Sequence, residues 1–252
     1  MTLLTERTDL WDVIFHDSRD RARFVERIMM HAGDDVLDVG CATGSVCSLL
    51  RQCGARAVGI DINPRFVAAA RTKDPGGEYH VGDMRNFRLR RRFDLLVCVG
   101  TTFAYNLTNQ DIVRTLQNFK AHLKPEGQVV IDVLNAIAFI GPRPFQVRTQ
   151  HKFARNGFRA TATIRHGLEL KTQNMTEQVS WKIRGKSIRR DPEEPQRLFF
   201  PQELKFYLEA AGCDGVRLMD GYRRTSKDFS GRRLIAVGKK QTYNRPIRGR
   251  RD

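Results

Sequence analysis

One short stretch, residues 36–46, constrains the fold of this chain more than any other. An apolar run from Val36 to Val39 is broken by Gly40, Gly44 follows, and apolar residues at helical spacing begin at Val46. A strand that ends in a glycine turn and leads into a helix forms a crevice where backbone amides can approach a nucleotide-like ligand. The third glycine of the dinucleotide fingerprint is absent. The stretch therefore indicates an α/β fold whose ligand is not a standard dinucleotide.

Carboxylates follow at the distances that such a ligand requires. Asp38 precedes the turn, where a carboxylate can accept hydrogen bonds from a cationic ligand or order water. The next apolar run, 57–62, contains Asp61, which lies 21 residues beyond the first glycine. This distance is typical of an acidic residue that accepts both hydroxyls of a ribose. Asn63 and Pro64 already supply the start of the next helix, so we interpret Asp61 as a ligand-binding residue.

The pattern continues along the chain as an alternation of strands and helices. Residues 78–84, 93–99 and 128–134 read as further strands, and a helical stripe over 111–123 separates the last two. The alternation from 35 to about 134 predicts a doubly wound, mostly parallel sheet. His122, at the end of the helical stripe, is expected to be solvated.

Three of these segments resemble a known family. Residues 36–44 resemble motif I of class I S-adenosylmethionine-dependent methyltransferases, with Ala42 in place of a glycine, and residues 82–84 and 123–127 resemble later elements in the same order. The resemblance implies a Rossmann-like, doubly wound, seven-stranded, mostly parallel sheet and S-adenosylmethionine as the cofactor. It implies cofactor contacts from Asp38, Gly40, Cys41, Ala42, Gly44, Asp61, Ile62, Asp83, Met84 and Val99. By the same resemblance, Asp83 accepts from the adenine amine and Met84 packs on the adenine ring.

A narrower resemblance covers most of the chain. Residues 10–17, 82–98, 198–204 and 232–239 are similar to elements of nucleotide-sugar N,N-dimethyltransferases and related antibiotic-pathway N-methyltransferases. This implies N-methylation of an amine on a small molecule in a natural-product pathway.

The acceptor side of such a site calls for aromatic residues and a group that orients or deprotonates the amine. Aromatic faces also tolerate a sulfonium through cation–π attraction. The candidates for the substrate pocket are Trp11, Phe15, Phe103 and Tyr105, and those for catalysis are His16 and Tyr105. The chain departs from the group at Trp11 and Phe15, where tyrosines are common, and so lacks two hydroxyls.

Organisation along the chain is read as one methyltransferase domain over 1–252. Its parts are an N-terminal helical cover (9–31), a cofactor-binding core (32–140), a β-rich substrate insertion (141–198), a segment that completes the sheet (199–239) and a flexible basic tail (240–252). Within the insertion, short alternating runs at 160–164, 168–171 and 178–183, with glycines at 157, 167 and 185, predict antiparallel strands that cover the active site.

The charge leaves several alternatives open. The net charge is +16 and the pI is about 10.2, with arginines clustered at 85–92. Such a surface favours nucleic acid, an anionic small molecule or merely a solvated basic face. The fourth strand ends without the Pro-Pro-aromatic clamp of enzymes that methylate a base amine, which disfavours nucleic acid. An RNA or protein methyltransferase, C- or O-methylation of an anionic small molecule, and a non-catalytic cofactor-binding regulator remain alternatives.

Composition bounds the remaining classes. The five cysteines form no Cys-x-x-Cys pair, which predicts reduced thiols and no metal site. No stretch approaches the ~20 apolar residues of a membrane helix, and the N-terminus lacks an apolar signal core. We therefore expect a cytoplasmic enzyme without a membrane partner, and leave a homodimer open.

Overall fold

A computed structural model gives the fold of the chain and describes residues 2–15, 18–29, 31, 33–140, 145–155, 158–222 and 229–241. The strands are β1 (Asp35–Val39), β2 (Arg56–Asp61), β3 (Glu78–Val81), β4 (Phe93–Cys98), β5 (Leu123–Asn135), β6 (Arg148–Arg155), β7 (Phe158–Glu169), β8 (Asn174–Ile183), β9 (Lys186–Arg190), β10 (Glu194–Phe199), β11 (Cys213–Asp220) and β12 (Arg233–Lys240). The helices are α1 (Leu3–Glu6), α2 (Trp11–Ile14), α3 (Ser18–Glu26), α4 (Ser45–Gln52), α5 (Pro64–Lys73), α6 (Asn109–His122), α7 (Ala136–Ile140) and α8 (Pro201–Ala210).

Seven strands form the central sheet in the order β3-β2-β1-β4-β5-β12-β11. The first five are parallel to one another, and β12 runs antiparallel to both of its neighbours. The predicted doubly wound, mostly parallel sheet is confirmed. Because the chain reverses direction across the sheet between β1 and β4, the crevice at their carboxyl ends is the expected position of a ligand site.

Local sequence explains where these elements begin and end. All five residues of β1 are buried, because helices cover both faces of the sheet at its centre. Helix α5 begins at Pro64, with the Asn63 side chain accepting from the backbone N–H of Arg65 at 3.0 Å, as predicted. Helix α6 begins after Thr108, whose hydroxyl accepts from the backbone N–H of Asp111 at 3.1 Å.

The insertion is an antiparallel sheet, as predicted, in which β6, β7, β8 and β9 pair in sequence. Strand β10 connects it to the core, because β10 pairs with β8 along one edge and continues parallel to the end of β5. The interpretation of 160–164 and 168–171 as separate runs is wrong, since β7 is continuous from the first run into the second and ends at Glu169. Gly167 lies inside β7, where a Cβ would stand 2.6 Å from the Thr176 hydroxyl on β8.

The N-terminal residues pack on the insertion. Within the segment predicted as a helical cover, the structure has two short helices, α2 and α3, and α2 ends at Ile14 with Phe15 as its C-cap. Apolar residues from Leu3 to Ile14 pack against Ala162 and Trp181. Asp191 joins the two segments by accepting from the backbone N–H of Leu3 and the indole N–H of Trp181, both at 2.7 Å.

One expectation about the core is wrong, and others lie beyond the described residues. His122 is buried, with 5% of its surface exposed, because its Nε2 accepts from the backbone N–H of Leu89 and its ring packs on Phe87. Residue His16 and most of the basic tail, 242–252, lie outside the described residues. Among the helices that are described, none is both long enough and apolar enough to span a membrane.

Candidate active site

The loop after β1 is shaped by two glycines. Gly40 has a φ of +81° and Gly44 a φ of +75°, values that L side chains rarely adopt. A Cβ on Gly40 would clash with the Thr102 side chain, and one on Gly44 would stand 2.8 Å from the Tyr79 ring. The backbone N–H of Gly40 donates to the Ile60 carbonyl at 2.7 Å, which ties the turn to the end of β2. Both predicted glycines therefore provide the positive φ and the free space that the geometry of this turn requires.

Ala42 is the strained position of this loop. Its φ is +47°, in the left-handed region where the related motif has glycine. Its backbone N–H donates to Oδ2 of Asp61 at 2.9 Å, and Oδ1 of the same carboxylate accepts from the N–H of Asn63 at 2.8 Å. Asp61 is buried, and burial raises its pKa although the two backbone donors oppose that shift. Its carboxylate is therefore held rigidly between the ends of β1 and β2, with lone pairs left for a diol.

Asp38 lies beneath the same turn and is 1% exposed. Its Oδ2 accepts weakly from the Cys47 thiol at 3.6 Å, and its Oδ1 has no hydrogen-bond partner among the described residues. Burial raises the pKa of Asp38 to about 7, and the positive charge of Arg21 opposes the shift. An orphaned carboxylate oxygen beside a glycine turn fits the cationic end of an S-adenosylmethionine molecule. Cys41, also predicted here, is buried, and its pKa is raised by burial.

The far end of the crevice presents a carboxylate and an apolar side chain. Ile62 is 64% exposed, which is unusual for isoleucine and leaves a face for a ring to stack on. The two oxygens of Asp83 face Arg85, whose Nη2 lies 2.6 Å from Oδ2 and holds the pKa of Asp83 low. Met84 is turned toward the core, where its sulfur accepts from the Asn106 side-chain amide at 3.2 Å. An adenine would thus meet Asp83 in its ionised form.

A polar cluster lies at the end of β4, and the sequence motifs did not predict it. Val99 is 3% exposed and ends the buried strand, and the backbone N–H of Gly100 then donates to Oδ2 of Asp132 at 2.9 Å. Asp132 is fully buried, also accepts from Arg233 at 2.7 Å and from the Tyr222 hydroxyl, and its Oδ1 has no hydrogen-bond partner among the described side chains and backbone. The guanidinium of Arg21 packs against Gly100, where a Cβ would stand 2.7 Å from Nη1.

Sequence reasoning missed this cluster because its members come from five separate segments of the chain. The one available signal was the position of Asp132 inside an otherwise apolar strand, since a buried carboxylate requires partners.

Trp11 and Phe15 are placed together beside the cofactor loop. Their ring centroids are 4.5 Å apart, and Trp11 lies 4.6 Å from Phe66 on α5. Between them in sequence, Asp12 accepts from the hydroxyls of Thr43 and Ser45 at 2.7 and 2.8 Å. The N-terminal segment is therefore attached directly to the loop after β1.

The other two residues predicted to line the acceptor pocket, Phe103 and Tyr105, lie in different environments. Phe103 is fully buried between Phe119 and Phe199, at centroid distances of 6.2 and 5.8 Å, so we correct the expectation that it lines the acceptor pocket and assign it to the core. Tyr105 is 45% exposed. Desolvation of its hydroxyl, with the nearby carboxylates of Glu194 and Glu177, raises the pKa of Tyr105. Tyr105 therefore faces the insertion, and the contacts of Trp11 and Phe15 place them at the cofactor loop.

Comparison with known proteins agrees with this geometry. Residues 36–127 match the family described as methyltransferase domain. A dTDP-4-amino-2,3,4,6-tetradeoxy-D-glucose N,N-dimethyltransferase from Saccharopolyspora spinosa is 30% identical over 135 residues, which cover 50% of this chain and 54% of the relative. A dTDP-3-amino-3,6-dideoxy-alpha-D-glucopyranose N,N-dimethyltransferase from Streptomyces fradiae is also 30% identical over 135 residues, covering 50% and 52%. The chain thus spans about half the length of these curated relatives.

Solved structures extend the similarity to nearly the whole chain. An S-adenosylmethionine-dependent methyltransferase from Clostridium acetobutylicum superposes with a TM-score of 0.78 at 17% identity, covering 95% of this chain and 100% of that one. DesVI from Streptomyces venezuelae gives 0.78 at 23% identity, covering 92% and 98%. At these sequence identities, the structural similarity shows that the fold is shared. Residues 36–127 therefore match the methyltransferase domain family, within a chain that has the fold of S-adenosylmethionine-dependent methyltransferases.

Proposed function

We propose that this chain transfers a methyl group from S-adenosylmethionine to an amine nitrogen of a small molecule. The observation that carries the proposal is the crevice at the carboxyl ends of β1, β2 and β3, where Asp38, Asp61 and Asp83 follow one another as a methionine, a ribose and an adenine would require. The curated relatives support an amino sugar carried on a nucleotide as the acceptor, since their names specify such substrates.

The residues of the crevice have separable tasks in this proposal. S-adenosylmethionine, when bound, supplies a methyl group on a positively charged sulfur. Asp61 holds the ribose hydroxyls, and Ile62 and Asp83 hold the adenine. Asp38 faces the ammonium of the methionine part and Arg21 its carboxylate, because each offers the opposite charge at the glycine turn. Tyr105 stands on the acceptor side, and His16 remains a candidate for orienting the amine.

Other parts of the proposal rest on the same comparisons. We infer a role in a natural-product pathway, a cytoplasmic location, one domain over 1–252, and an acceptor that carries its negative charge on a nucleotide diphosphate. A homodimer is compatible with the proposal and is tested by measuring the mass of the protein in solution.

The test begins with the cofactor. Calorimetric titration with S-adenosylmethionine is expected to show binding that Asp61→Ala weakens at least about tenfold, because two charge-assisted hydrogen bonds are lost. Asp214→Ala, an exposed carboxylate on β11, is the matched control and should bind as the unmodified chain does. No cofactor binding, or equal binding by both variants, would refute the proposal.

The acceptor is tested separately. Incubation with radiolabelled S-adenosylmethionine and a dTDP-linked amino sugar is expected to yield a product whose mass has grown by one or two methyl groups. Transfer to a hydroxyl or carbon in place of the nitrogen would overturn the N-methyl assignment while leaving the methyltransferase intact.

A specific observation supports RNA as a second candidate acceptor. Arginines of the segment between β3 and β4 and of α6 line a groove of about 1060 Å³ that runs along α6. Among the residues that the structure describes, Arg90, Arg92 and Arg114 make neither an ion pair nor a side-chain hydrogen bond, whereas Arg88 is hydrogen-bonded and Arg85 and Arg91 form ion pairs. Methyl incorporation into an RNA fragment, with none into amino sugars, would favour this candidate.

A further inference from the structure

The inner face of the insertion sheet is defined by strand pairing. Ala162, Leu168, Met175 and Trp181 alternate onto one face of β7 and β8. The N-terminal residues cover this face at the Trp181 end, and α7 covers it at the Met175 end. Between these two ends the face carries a different kind of side chain, because His166 and Glu177 are paired there across the two strands.

Two carboxylates meet in this middle part of the face. Glu194 on β10 is directly opposite Glu177 on β8, so both side chains stand on the same face. Like charges in directly opposite positions destabilise a sheet. Both side chains are partly withdrawn from solvent, and Glu177 is 25% exposed.

A buried histidine and a phenol complete the cluster. The His166 side chain is 3% exposed, its Nε2 contacts the Thr149 hydroxyl at 2.9 Å, and its Nδ1 lies 3.3 Å from Glu177 Oε1 without hydrogen-bond geometry. Among the described residues, Nδ1 is thus a buried polar atom without a hydrogen-bond partner, directed at Glu177, with which it forms an ion pair only when His166 is protonated. From the core side, Tyr105 approaches Glu194 at the carboxyl end of β4.

The electrostatics agree with this geometry. Burial, then the charges of Asp191 and Glu177, raise the pKa of Glu194, and the positive charge of the N-terminal amine opposes that shift. A site that accumulates carboxylates, with no arginine or lysine forming an ion pair with Glu177 or Glu194 among the described residues, attracts a cation.

We propose that Glu177 and Glu194, with the Tyr105 hydroxyl, form a subsite that receives the acceptor amine as an ammonium ion and removes one proton from it. The proposal rests on the proposed function and deepens it, because it assigns the acceptor as a cationic primary or secondary amine. It also implies that the acceptor carries its charges at different places. The reacting nitrogen is positive, and any negative charge lies elsewhere on the molecule.

The step balances as follows. The ammonium R–NH₃⁺ gives one proton to the carboxylate of Glu194, which becomes the neutral acid, and the amine keeps the electron pair of the broken N–H bond. That pair then forms the bond to the methyl carbon while the carbon–sulfur bond breaks and its electrons stay on sulfur. The products are R–NH₂–CH₃⁺ and S-adenosylhomocysteine.

Binding of a simple cation tests the subsite without activity. In the presence of saturating S-adenosylhomocysteine, calorimetric titration with cyclohexylammonium is expected to show binding that neutral cyclohexanol does not. Glu194→Gln and Glu177→Gln should each weaken the ammonium about 10- to 100-fold. Glu193→Gln, an exposed neighbour of the same chemistry, should change nothing.

The pH dependence gives a signature that a structural role would not. Ammonium affinity should rise as the pH rises through the raised pKa of Glu194, and Glu194→Gln should lose that rise. The charged and titratable groups that act on Glu194 are Asp191, the N-terminal amine, Glu177 and Tyr105, and His166 contacts Glu177.

The outcomes separate this inference from the proposed function. If S-adenosylhomocysteine fails to bind in the same titrations, the proposed function is refuted. If it binds, but cyclohexylammonium and cyclohexanol bind alike or Glu194→Gln matches Glu193→Gln, only the cation subsite is refuted. Unchanged S-adenosylhomocysteine affinity in each variant verifies that the variant is folded.

Discussion

At the scale of single residues, the cofactor loop combines strain with a buried charge. Ala42 stands at a φ of +47° where a glycine would be unstrained, and Asp38 keeps one carboxylate oxygen unpaired while only 1% exposed. Features of this kind cost stability in the empty protein and persist where a ligand uses them. Both can be tested by one substitution each.

Ala42→Gly is expected to stabilise the folded chain by up to about 1 kcal/mol, because glycine adopts a positive φ without the steric penalty that alanine meets. Ala68→Gly, at an exposed position inside α5, is the matched control and should destabilise by about 1 kcal/mol, since glycine is a poor helix former. Denaturant unfolding of both variants measures the two signs. A loss of stability in Ala42→Gly would show that the methyl group packs favourably enough to outweigh the backbone strain.

Asp38 predicts a pH dependence of stability. Its pKa is about 7 in the folded chain and about 3.9 when unfolded, so the folded state keeps a proton that the unfolded state has lost between these values. Stability from this group is therefore present below about pH 4 and decreases as the pH rises toward 7, by at most about 1.4 kcal/mol per unit. Asp38→Asn does not titrate and should remove that decrease, as unfolding at about pH 5 and about pH 7 would measure. Equal slopes in both proteins would contradict the shifted pKa.

The same titration bears on the cofactor. A cationic ligand beside Asp38 favours the ionised carboxylate, so the affinity for S-adenosylmethionine should rise as the pH rises through about 7 in the unmodified chain and stay flatter in Asp38→Asn.

At the scale of elements, local patterns predicted the core much better than the acceptor side. The strands and helices from β1 to α6 were predictable because each is a continuous apolar run ended by glycine, proline or a capping residue. Tyr105 and Phe103 lie two residues apart, yet one faces the insertion and the other the core. Only the short 3₁₀ turn over Thr102–Tyr105 decides which.

The acids of the insertion were beyond sequence reasoning for a different reason. Glu177 and Glu194 are opposite one another only because of the register between β8 and β10. A one-residue shift of that register would move one of them to the other face, and no residue near either glutamate fixes the register locally. The continuous β7 was missed similarly, since Gly167 reads as a turn but serves to admit the Thr176 side chain.

The N-terminal segment makes a testable link between elements. Asp12 binds the Thr43 and Ser45 hydroxyls of the cofactor loop and forms an ion pair with Lys73 on α5. Asp12→Asn removes the charge from all three contacts, which lowers the free energy of opening this segment by about 2 kcal/mol. Limited proteolysis, followed by mass spectrometry, should therefore release N-terminal fragments faster from this variant.

The control for that experiment lies three residues away. Asp9→Asn breaks only an exposed pair with Arg7 and should leave the cleavage rate unchanged. Cofactor should slow cleavage of the unmodified chain, because the segment is attached to the loop that binds it. Equal release from Asp12→Asn and Asp9→Asn would place the stability of the segment in its apolar contacts with the insertion instead.

At the scale of the whole molecule, charge is divided between two regions. The acceptor side presents Glu177 and Glu194, whereas the groove along α6 presents arginines with three unpaired guanidiniums among the described residues. The groove follows α6 from Asp111 to His122, about 16 Å at 1.5 Å per residue. The net positive charge of +16 is therefore not distributed evenly over the surface, and it is not concentrated where the amine would react.

This division predicts how the chain responds to a polyanion. Binding of a single-stranded RNA oligomer should weaken as salt rises, because phosphate contacts release counterions. Removing three arginines of the groove, in Arg90→Ala/Arg92→Ala/Arg114→Ala, should reduce the slope of log affinity against log salt by about 2, at about 0.7 per lost contact. Fluorescence anisotropy at several salt concentrations measures both slopes. A matched loss of charge elsewhere, in Arg65→Ala/Arg184→Ala/Arg217→Ala, removes exposed arginines from three other segments and should change the slope little. If both triple variants lose the same amount, the response belongs to net charge alone, and the groove has no preference for a phosphate chain.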